Sequence, residues 1–225
     1  SDFETGQSGI LPYRFMKPLN YQEEYQYPLV VFLHGGGEIG DDNTSQIDAQ
    51  PAWAEAFAND VTRQEYPAFL VAPQCPYGTR FAYQTDEIVN LVQDFLDTYS
   101  IDPDRVYLTG MSHGGKGTDA VLVDYPEYFA AAVSVCGMPE RPGDLENMST
   151  EVPFFALHSA DDNTVNVDGS RSVVTRLREE DATMTLYQEY DGYGHFVWDT
   201  AYFHPDLLPW MFNQTRGGGT APLPP

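Results

Sequence analysis

The sequence predicts a single α/β domain in which helices cover both faces of a mostly parallel β-sheet. Six short apolar runs of strand length recur along the 225 residues, and segments of helical character lie between them. Most of these runs are almost continuously apolar, as strands buried on both faces are. Strands that alternate with helices form βαβ units with right-handed crossovers, which build a parallel sheet between layers of helices.

The elements follow one another in this order along the chain. An antiparallel edge strand at the start is predicted for LPYRFMKPL (11–19). The six apolar runs are YPLVVFLHG (27–35), PAFLVAPQ (67–74), RVYLTG (105–110), FAAAVSVCG (129–137), VPFFALHS (152–159) and TMTLYQEY (183–190). The predicted helices are AWAEAFAND (52–60), DEIVNLVQDFLDTYS (86–100), GTDAVLVDY (117–125), GSRSVVTRLREED (169–181) and PDLLPWMFNQ (205–214).

Chain length and composition predict one catalytic domain over residues 1–214. A chain of this size is within the usual span of one domain and is long enough to bury a substantial core. The segment TRGGGTAPLPP (215–225) is rich in glycine and proline, a composition typical of a flexible tail or linker. No apolar run approaches the roughly 20 residues that a transmembrane helix needs.

The charge balance excludes several classes of partner. There are 34 acidic residues against 11 basic ones, which gives a net charge of −23. Nucleic acid and anionic membrane surfaces are therefore unfavourable partners. We interpret the charge as a solubilising surface, with the steering of cationic ligands as the alternative. The acidic surface, the two lysines and the tail composition favour a secreted or periplasmic protein.

A serine lies between two glycines in TGMSHGGKG (109–117), after an apolar run and before a segment of helical character. A strand that runs straight into a helix turns within about four residues, which strains the apical residue, and small neighbours make the turn possible. Gly110, Ser112 and Gly114 match the G-x-S-x-G pattern, in which the turn lifts the hydroxyl above the sheet. We predict that Ser112 is a nucleophile. The alternative is a glycine-rich turn with an incidental serine.

A nucleophilic serine needs a base within hydrogen-bond reach, and the base needs an acceptor that fixes its tautomer. On this kind of sheet the partners follow in the order serine, acid, histidine. We predict that His195 is the base, because DGYGHFVW (191–198) follows the last predicted strand as a glycine-containing loop. The loop LHSADDNTV (157–165) presents Asp161 and Asp162 as candidate acids. Spacing alone does not separate the two.

Three consecutive glycines follow a predicted strand in HGGGEIGDDN (34–43). Glycines let backbone N–H groups approach a ligand closely, so the loop predicts an oxyanion hole. Gly36 is the first candidate donor and Gly37 the alternative, and the N–H of His113 is the second donor. We expect His34 to support this loop rather than to transfer protons. A flexible turn without a catalytic role is the alternative for the whole loop.

The sequence has no pattern that is typical of a metal or cofactor site. No spacing of His, Cys, Asp and Glu predicts a structural zinc site, and no G-x-G-x-x-G or P-loop pattern occurs, so we predict neither metal nor cofactor. His158 is expected to hold the acid loop from the end of its strand. Trp198 either lines the substrate pocket or fills the core. Trp198 and Gln74 are the candidate substrate contacts.

The set of motifs resembles the lidless bacterial carboxylesterases of the α/β-hydrolase superfamily that are related to polyhydroxybutyrate depolymerases, feruloyl esterases and prolyl-oligopeptidase-like esterases. The similarity is carried by YPLVVFLHGGGEIGDDN, VAPQCP, IDPDRVYLTGMSHGGKGT, YPEYFAAAVSVCG, LHSADDNTV and GHFVWDTAY. It implies the α/β-hydrolase fold and selects Asp162, four residues after the histidine of the acid loop, as the catalytic acid. Ser159, Ile39 and His113 depart from the glycine, arginine and methionine that are frequent in this family.

The resemblance also implies the state of the two cysteines, Cys75 and Cys136. The family's usual strand order puts them after strands that two others separate, about 14 Å apart at about 4.8 Å per strand. We therefore expect free thiols.

Together these features predict a serine carboxylesterase that forms an acyl-enzyme. The connection MPERPGDLENMSTEV (138–152) is too short for a helical cap, so the site is expected to be open. An open site favours short-chain, aryl, cinnamoyl or polymer-linked esters as substrates. A prolyl-oligopeptidase-like peptidase is the enzymatic alternative, although relatives of that type generally carry a gating domain. An inactive hydrolase-fold binding module is the alternative from another class.

Overall fold

A computed structural model of the protein describes residues 3–180, 182 and 184–218. Within these residues the strands are β1 (Glu4–Ser8), β2 (Leu11–Met16), β3 (Tyr27–Leu33), β4 (Phe69–Pro73), β5 (Ile101–Met111), β6 (Ala131–Val135), β7 (Phe154–Ser159) and β8 (Thr185–Tyr190). The α-helices are α1 (Ser45–Asp48), α2 (Ala52–Ala58), α3 (Asp60–Glu65), α4 (Thr85–Thr98), α5 (His113–Asp124), α6 (Asp144–Asn147), α7 (Asp168–Glu179), α8 (Trp198–Ala201) and α9 (Leu207–Phe212).

The strands form one mixed sheet in the order β1-β2-β4-β3-β5-β6-β7-β8. The pairings from β4 to β8 are all parallel, whereas β1 pairs with β2, and β2 with β4, in antiparallel fashion. The predicted α/β fold class with a mostly parallel sheet is confirmed. Because the central strands are parallel, the loops after β3, β5, β7 and β8 all emerge at the same edge of the sheet. We call this edge the carboxyl edge.

Two apolar layers pack against the two faces of the sheet. One contains Trp53, Phe57 and Tyr202 and joins the sheet to α1, α2, α8 and α9. The other contains Leu91 and Phe95 and joins it to α4, α5 and α7. Helices on both faces explain why the central strands are continuously apolar, since neither side of these strands meets water.

Several boundaries differ from those that the sequence predicts. The prediction that the strand over 11–19 is the edge strand was wrong, because β1 pairs outside it. The β1 sequence ETGQS is polar and mostly exposed, so it lacks an apolar pattern. The strand predicted over 105–110 begins earlier, at Ile101. The prediction missed this start because it is polar and partly exposed and therefore lacks the apolar pattern of a buried strand. The short helices α1, α3, α6 and α8 were not predicted, since so few residues carry little periodicity.

The connection between β6 and β7 contains α6, which has 4 residues, and no cap domain within the described part of the chain. None of the helices in that part is long and apolar enough to cross a membrane. Both cysteines are free thiols in buried positions, as predicted.

The start of the predicted tail lies against the domain. The backbone N–H of Arg216 donates to the carbonyl of Asp104 (2.9 Å), and its guanidinium donates to the Asp104 carboxylate (2.8 Å) and to the carbonyl of Glu127 (2.7 Å). Asp104 lies near the beginning of β5. This contact therefore lies at the amino edge of the sheet, opposite the carboxyl edge. Residues 219–225 of the predicted tail lie outside the described residues.

One carboxylic acid is buried in the layer between α5 and the sheet. Asp119 is 2% exposed, and its Oδ1 has no hydrogen-bond partner within the described residues. Burial raises the pKa of Asp119 to about 8. The folded protein therefore holds a proton on Asp119 at neutral pH, whereas the unfolded chain releases it near its ordinary pKa of about 4.

We expect the free energy of unfolding to fall less between pH 5 and pH 8 in Asp119→Asn than in the wild-type protein. Between the unfolded and folded pKa values the native state binds one more proton, so this group's contribution to stability falls by up to about 1.4 kcal/mol per pH unit as pH rises. Urea unfolding of both proteins at pH 5 and pH 8 measures the difference. An identical pH dependence in the two proteins would contradict the assignment.

Candidate active site

The site begins where β5 turns into α5. Ser112 lies at this turn with φ 53° and ψ −111°, a strained conformation for a residue with a side chain. Its N–H donates to the carbonyl of Val135 at the end of β6 (2.9 Å), which fixes the turn to the neighbouring strand. The predicted strand–turn–helix context of Ser112 is thus present, although α5 begins at His113 rather than at the predicted residue 117.

The glycines around Ser112 allow the backbone segments to approach one another. A Cβ atom on Gly114 would lie 1.9 Å from the carbonyl oxygen of Leu33, at the end of β3. A Cβ on Gly110 would lie 2.3 Å from the carbonyl oxygen of Gly114. Both contacts are with backbone atoms that cannot move aside alone. Glycine is therefore required for α5 to start directly above the sheet.

Three side chains from three loops form a continuous chain of hydrogen bonds at the carboxyl edge. Ser112 Oγ lies 2.9 Å from His195 Nε2, and His195 Nδ1 lies 2.7 Å from Asp162 Oδ2. With Nδ1 as the donor to the carboxylate, Nε2 is free to accept the hydroxyl proton. The geometry thus distinguishes the two adjacent aspartates, since it is Asp162 that contacts the imidazole.

The carboxylate of Asp162 is held by four donors. Oδ1 accepts from the N–H groups of Thr164 (2.8 Å) and Val165 (2.9 Å), and Oδ2 accepts from His158 Nε2 (3.2 Å) as well as from His195. Burial acts to raise the pKa of Asp162, but the hydrogen bonds from His195 and the two backbone N–H groups outweigh it and lower the pKa. Asp162 is therefore ionised at neutral pH.

His158 lies at the end of β7 and supports the acid loop, as predicted. It is fully buried, and its Nε2 also contacts the carbonyl of Val165 (3.1 Å), while Nδ1 contacts the hydroxyl of Ser170 (2.8 Å). Burial lowers its pKa. His158 therefore fixes Asp162 from the side opposite His195.

The glycine loop after β3 lies beside the nucleophile. A Cβ on Gly36 would contact Cβ of His113 at 3.9 Å, whereas a Cβ on Gly37 would meet no atom of the described part of the chain within 4 Å beyond its chain neighbours. His113 is the first residue of α5, so its N–H has no acceptor within the helix. Gly36 therefore lies next to the start of α5, where the N–H of His113 is unpaired within the helix. Burial also lowers the pKa of the His113 imidazole, which favours its neutral form.

His34 holds the glycine loop after β3 in place. Buried His34 contacts the carbonyl of Gly35 through Nδ1 (2.6 Å) and accepts from the N–H of Cys75 through Nε2 (2.8 Å). Burial lowers the pKa of His34 to about 4. The expectation that His34 supports the loop agrees with these contacts.

The choice of Gln74 as a substrate contact needs correction. Its side chain is fully buried, donates to the carbonyl of Glu38 (3.0 Å) and accepts from the N–H of Asn43 (2.6 Å). A glutamine whose amide group makes these buried hydrogen bonds supports the glycine loop from the protein interior and does not face a substrate. The sequence alone could not distinguish the two roles, because both require a polar residue directly after β4.

Aromatic side chains surround His195. The Trp198 ring packs edge-on against the imidazole, with centroids 5.2 Å apart, and its Nε1 donates to Gln50 (3.1 Å). Trp198 is only 5% exposed, so it fills the core and also packs against the His195 imidazole. Phe196, whose ring centroid lies 6.3 Å from that of the imidazole, is 61% exposed, and Tyr193, two residues before His195 in the chain, is 49% exposed. Neither of these two residues was predicted from the sequence, although their position next to the candidate base was a usable signal.

One group of residues has the donor types of a metal site. Cys136, Asp162 and His195 have potential ligand atoms within 4.8 Å of one another. Within this group Asp162 and His195 already contact each other. Burial raises the pKa of the Cys136 thiol well above its usual range, which opposes the thiolate that a metal requires. The arrangement fits an acid–base chain better than a metal centre.

Comparisons with known proteins agree with this architecture. Residues 81–140 match the prolyl oligopeptidase family. A crystal structure of a thermostable esterase superposes with a TM-score of 0.85 at 30% identity and covers 96% of this chain and 64% of its own. The chain has the α/β-hydrolase fold. The resemblance predicted from the motifs is confirmed.

Among sequence relatives, this α/β-hydrolase is similar to several named esterases. It is 38% identical over 129 residues to poly(3-hydroxyalkanoate) depolymerase C of Paucimonas lemoignei (51% of this chain, 28% of that protein). It is 36% identical over 89 residues to acetylxylan esterase A of Emericella nidulans, which is 34% of this chain and 29% of that protein. It is 42% identical over 52 residues to feruloyl esterase B of Talaromyces funiculosus, which is 23% of this chain and 15% of that protein. The chain spans less than a third of the length of these curated relatives.

Proposed function

We propose that this α/β-hydrolase is a carboxylesterase that acts through Ser112, His195 and Asp162. The observation that carries the proposal is the unbroken hydrogen-bond path from the serine hydroxyl through the imidazole to the carboxylate. The strained conformation of Ser112 supports it independently, because such strain concentrates at functional sites. Similarity to proteins named as esterases supports the same chemistry.

The proposed reaction has two acyl-transfer steps. Ser112 Oγ attacks the ester carbonyl carbon while His195 Nε2 takes the hydroxyl proton, and Asp162 stabilises the imidazolium. The carbonyl oxygen gains negative charge and accepts hydrogen bonds from the N–H groups of His113 and Gly36. The C–O bond then breaks as His195 passes its proton to the leaving alcohol. A water molecule, deprotonated by His195, attacks the acyl-enzyme and releases the carboxylic acid and Ser112.

The proposed substrates are short-chain, aryl, cinnamoyl or polymer-linked esters. The exposed ring of Phe196 beside His195 supports substrates with flat or bulky groups, since aromatic rings stack on such groups. The short connection over 138–152 leaves room for an ester that is attached to a large body. Relatives whose names specify xylan acetyl esters, feruloyl esters and polyhydroxyalkanoate point to the same range. A secreted or periplasmic location would give access to such polymers.

Peptide hydrolysis is the second candidate, because the matched family over residues 81–140 is that of prolyl oligopeptidase. Matched 4-nitrophenyl esters and 4-nitroanilides that share one acyl group distinguish the two activities. We expect kcat/KM to be at least about 10³-fold higher for the ester. A fluorophosphonate probe should label Ser112, and its failure to do so would instead favour an inactive binding module.

A further inference from the structure

The loop that carries His195 is not held by packing at its glycines. Gly192 and Gly194 have φ values of 84° and 58°, which L side chains rarely adopt. Among the described residues, apart from the two chain neighbours, no atom lies within 4 Å of the position that a Cβ would take at either glycine. Packing therefore does not fix the backbone at these two glycines, which leaves the hydrogen bonds of this stretch to do so.

A single carboxylate oxygen accepts two of those hydrogen bonds. Asp161 Oδ1 accepts from the N–H of Gly192 (3.1 Å) and from the N–H of Gly194 (3.0 Å). The same oxygen accepts from the hydroxyl of Ser159 (2.5 Å). The hydrogen bonds from Ser159 and Gly194 lower the pKa of Asp161, so the group is a carboxylate at neutral pH.

Ser159 completes the set of contacts. It is fully buried at the end of β7, and its Oγ accepts from the N–H of Tyr193 (3.3 Å) while it donates to Asp161. Three successive backbone N–H groups, those of residues 192–194, are thus held by two side chains.

We infer that Asp161 is a positioning residue which, together with Ser159, fixes the backbone of the His195 loop so that the imidazole stays aligned with both Ser112 and the leaving group. The adjacent aspartates then have separate tasks, since Asp162 binds the imidazole ring and Asp161 binds the backbone that carries it. This inference rests on the proposed esterase function. An ordinary turn-stabilising aspartate is the alternative, and it would affect stability without altering the catalytic step.

The leaving group of the substrate separates these two roles. Breakdown of the tetrahedral intermediate requires His195 to protonate an alkoxide, whereas 4-nitrophenolate departs without that proton. A misaligned imidazole therefore lowers kcat/KM more for an alkyl ester than for an aryl ester of the same acid. A change that affects stability alone lowers both by the same factor.

The test measures kcat/KM for 4-nitrophenyl acetate and ethyl acetate with Asp161→Ala and Asp161→Asn. For Asp161→Ala we expect losses of about tenfold on the aryl ester and about 100-fold on the alkyl ester, since small misplacements of a catalytic group cost about that much. For Asp161→Asn we expect losses within about threefold, because the amide oxygen accepts the same N–H groups. Losses of Asp161→Ala that are equal on both esters, or within twofold of wild type, would overturn the inference.

Two further variants keep the outcome interpretable. Asp104→Ala removes a carboxylate that binds Arg216 at the amino edge, and it should lower the melting temperature without changing the ratio of the two rates. Ser112→Ala tests the proposed function separately, since activity that survives it contradicts the esterase mechanism itself. If Asp161→Ala does not fold, Ser159→Ala is measured in the same way, and it should again affect the alkyl ester more.

Discussion

Ser112→Ala is expected to lower kcat/KM on aryl esters by at least about 10³-fold. The hydroxyl is the only group in the hydrogen-bond path that can form the acyl-enzyme, and removing the nucleophile of such a triad costs several orders of magnitude. The residual activity would come from binding and from oxyanion stabilisation alone. Steady-state hydrolysis of 4-nitrophenyl acetate, with the folded state checked by circular dichroism, measures the loss.

The matched control for this variant is Ser172→Ala. Ser172 lies on the exposed side of α7, where its hydroxyl contacts the carbonyl of Asp168 (2.7 Å). Its removal should leave kcat/KM within about twofold of wild type. Activity of Ser112→Ala within about tenfold of wild type would refute the proposed mechanism.

Gly114→Ala is expected to have the largest effect on stability. The added Cβ would overlap the backbone of Leu33, with its oxygen at 1.9 Å and its carbonyl carbon at 2.3 Å. Helix α5 would have to move away from β3, which separates Ser112 from the glycine loop after β3. We expect a loss of at least about 3 kcal/mol of stability and a fall in melting temperature of about 10 °C, together with loss of esterase activity.

Gly37→Ala provides the comparison for stability. A Cβ at this position has open space around it as far as the structure describes the chain, so the melting temperature should change by less than about 2 °C. Differential scanning calorimetry of both variants measures the contrast. A similar melting temperature for Gly114→Ala and wild type would show that the approach of α5 to β3 does not require glycine.

The central strands and the loops of the candidate site are predictable from the sequence for a physical reason. Strands that are buried on both faces must be continuously apolar, and parallel strands deliver the residues that follow them to one edge. The polar segments that follow the apolar runs therefore identify the neighbourhood of Ser112, Asp162 and His195 from the sequence alone. Chain order then restricts which histidine can follow the acid.

The supporting contacts are not predictable in the same way. Asp161 and Asp162 are chemically identical neighbours, and only their directions in space give one the ring of His195 and the other the backbone before it. Gln74 follows a strand at the carboxyl edge, yet it points into the protein. Periodicity reports burial of apolar groups, and it does not report the direction of a polar side chain in an irregular loop.

The edge strand β1 illustrates the same limit on the fold. Its residues are polar, and its position depends on backbone pairing with β2 across the turn at Gly9, which has φ 51°. Pairing of this kind requires a neighbouring strand rather than a particular composition. A sequence pattern that relies on apolar residues therefore detects β2 and misses its partner.

The contact of Arg216 with Asp104 has a practical consequence for attaching the protein to a solid support. Asp104 and Ser112 are separated along β5 by roughly 25 Å, at about 3.3 Å per residue. A resin or sensor chip that is coupled next to Arg216 would therefore hold the protein by the end remote from Ser112. Immobilised in this orientation, the protein would present the proposed active site to insoluble material in the surrounding suspension.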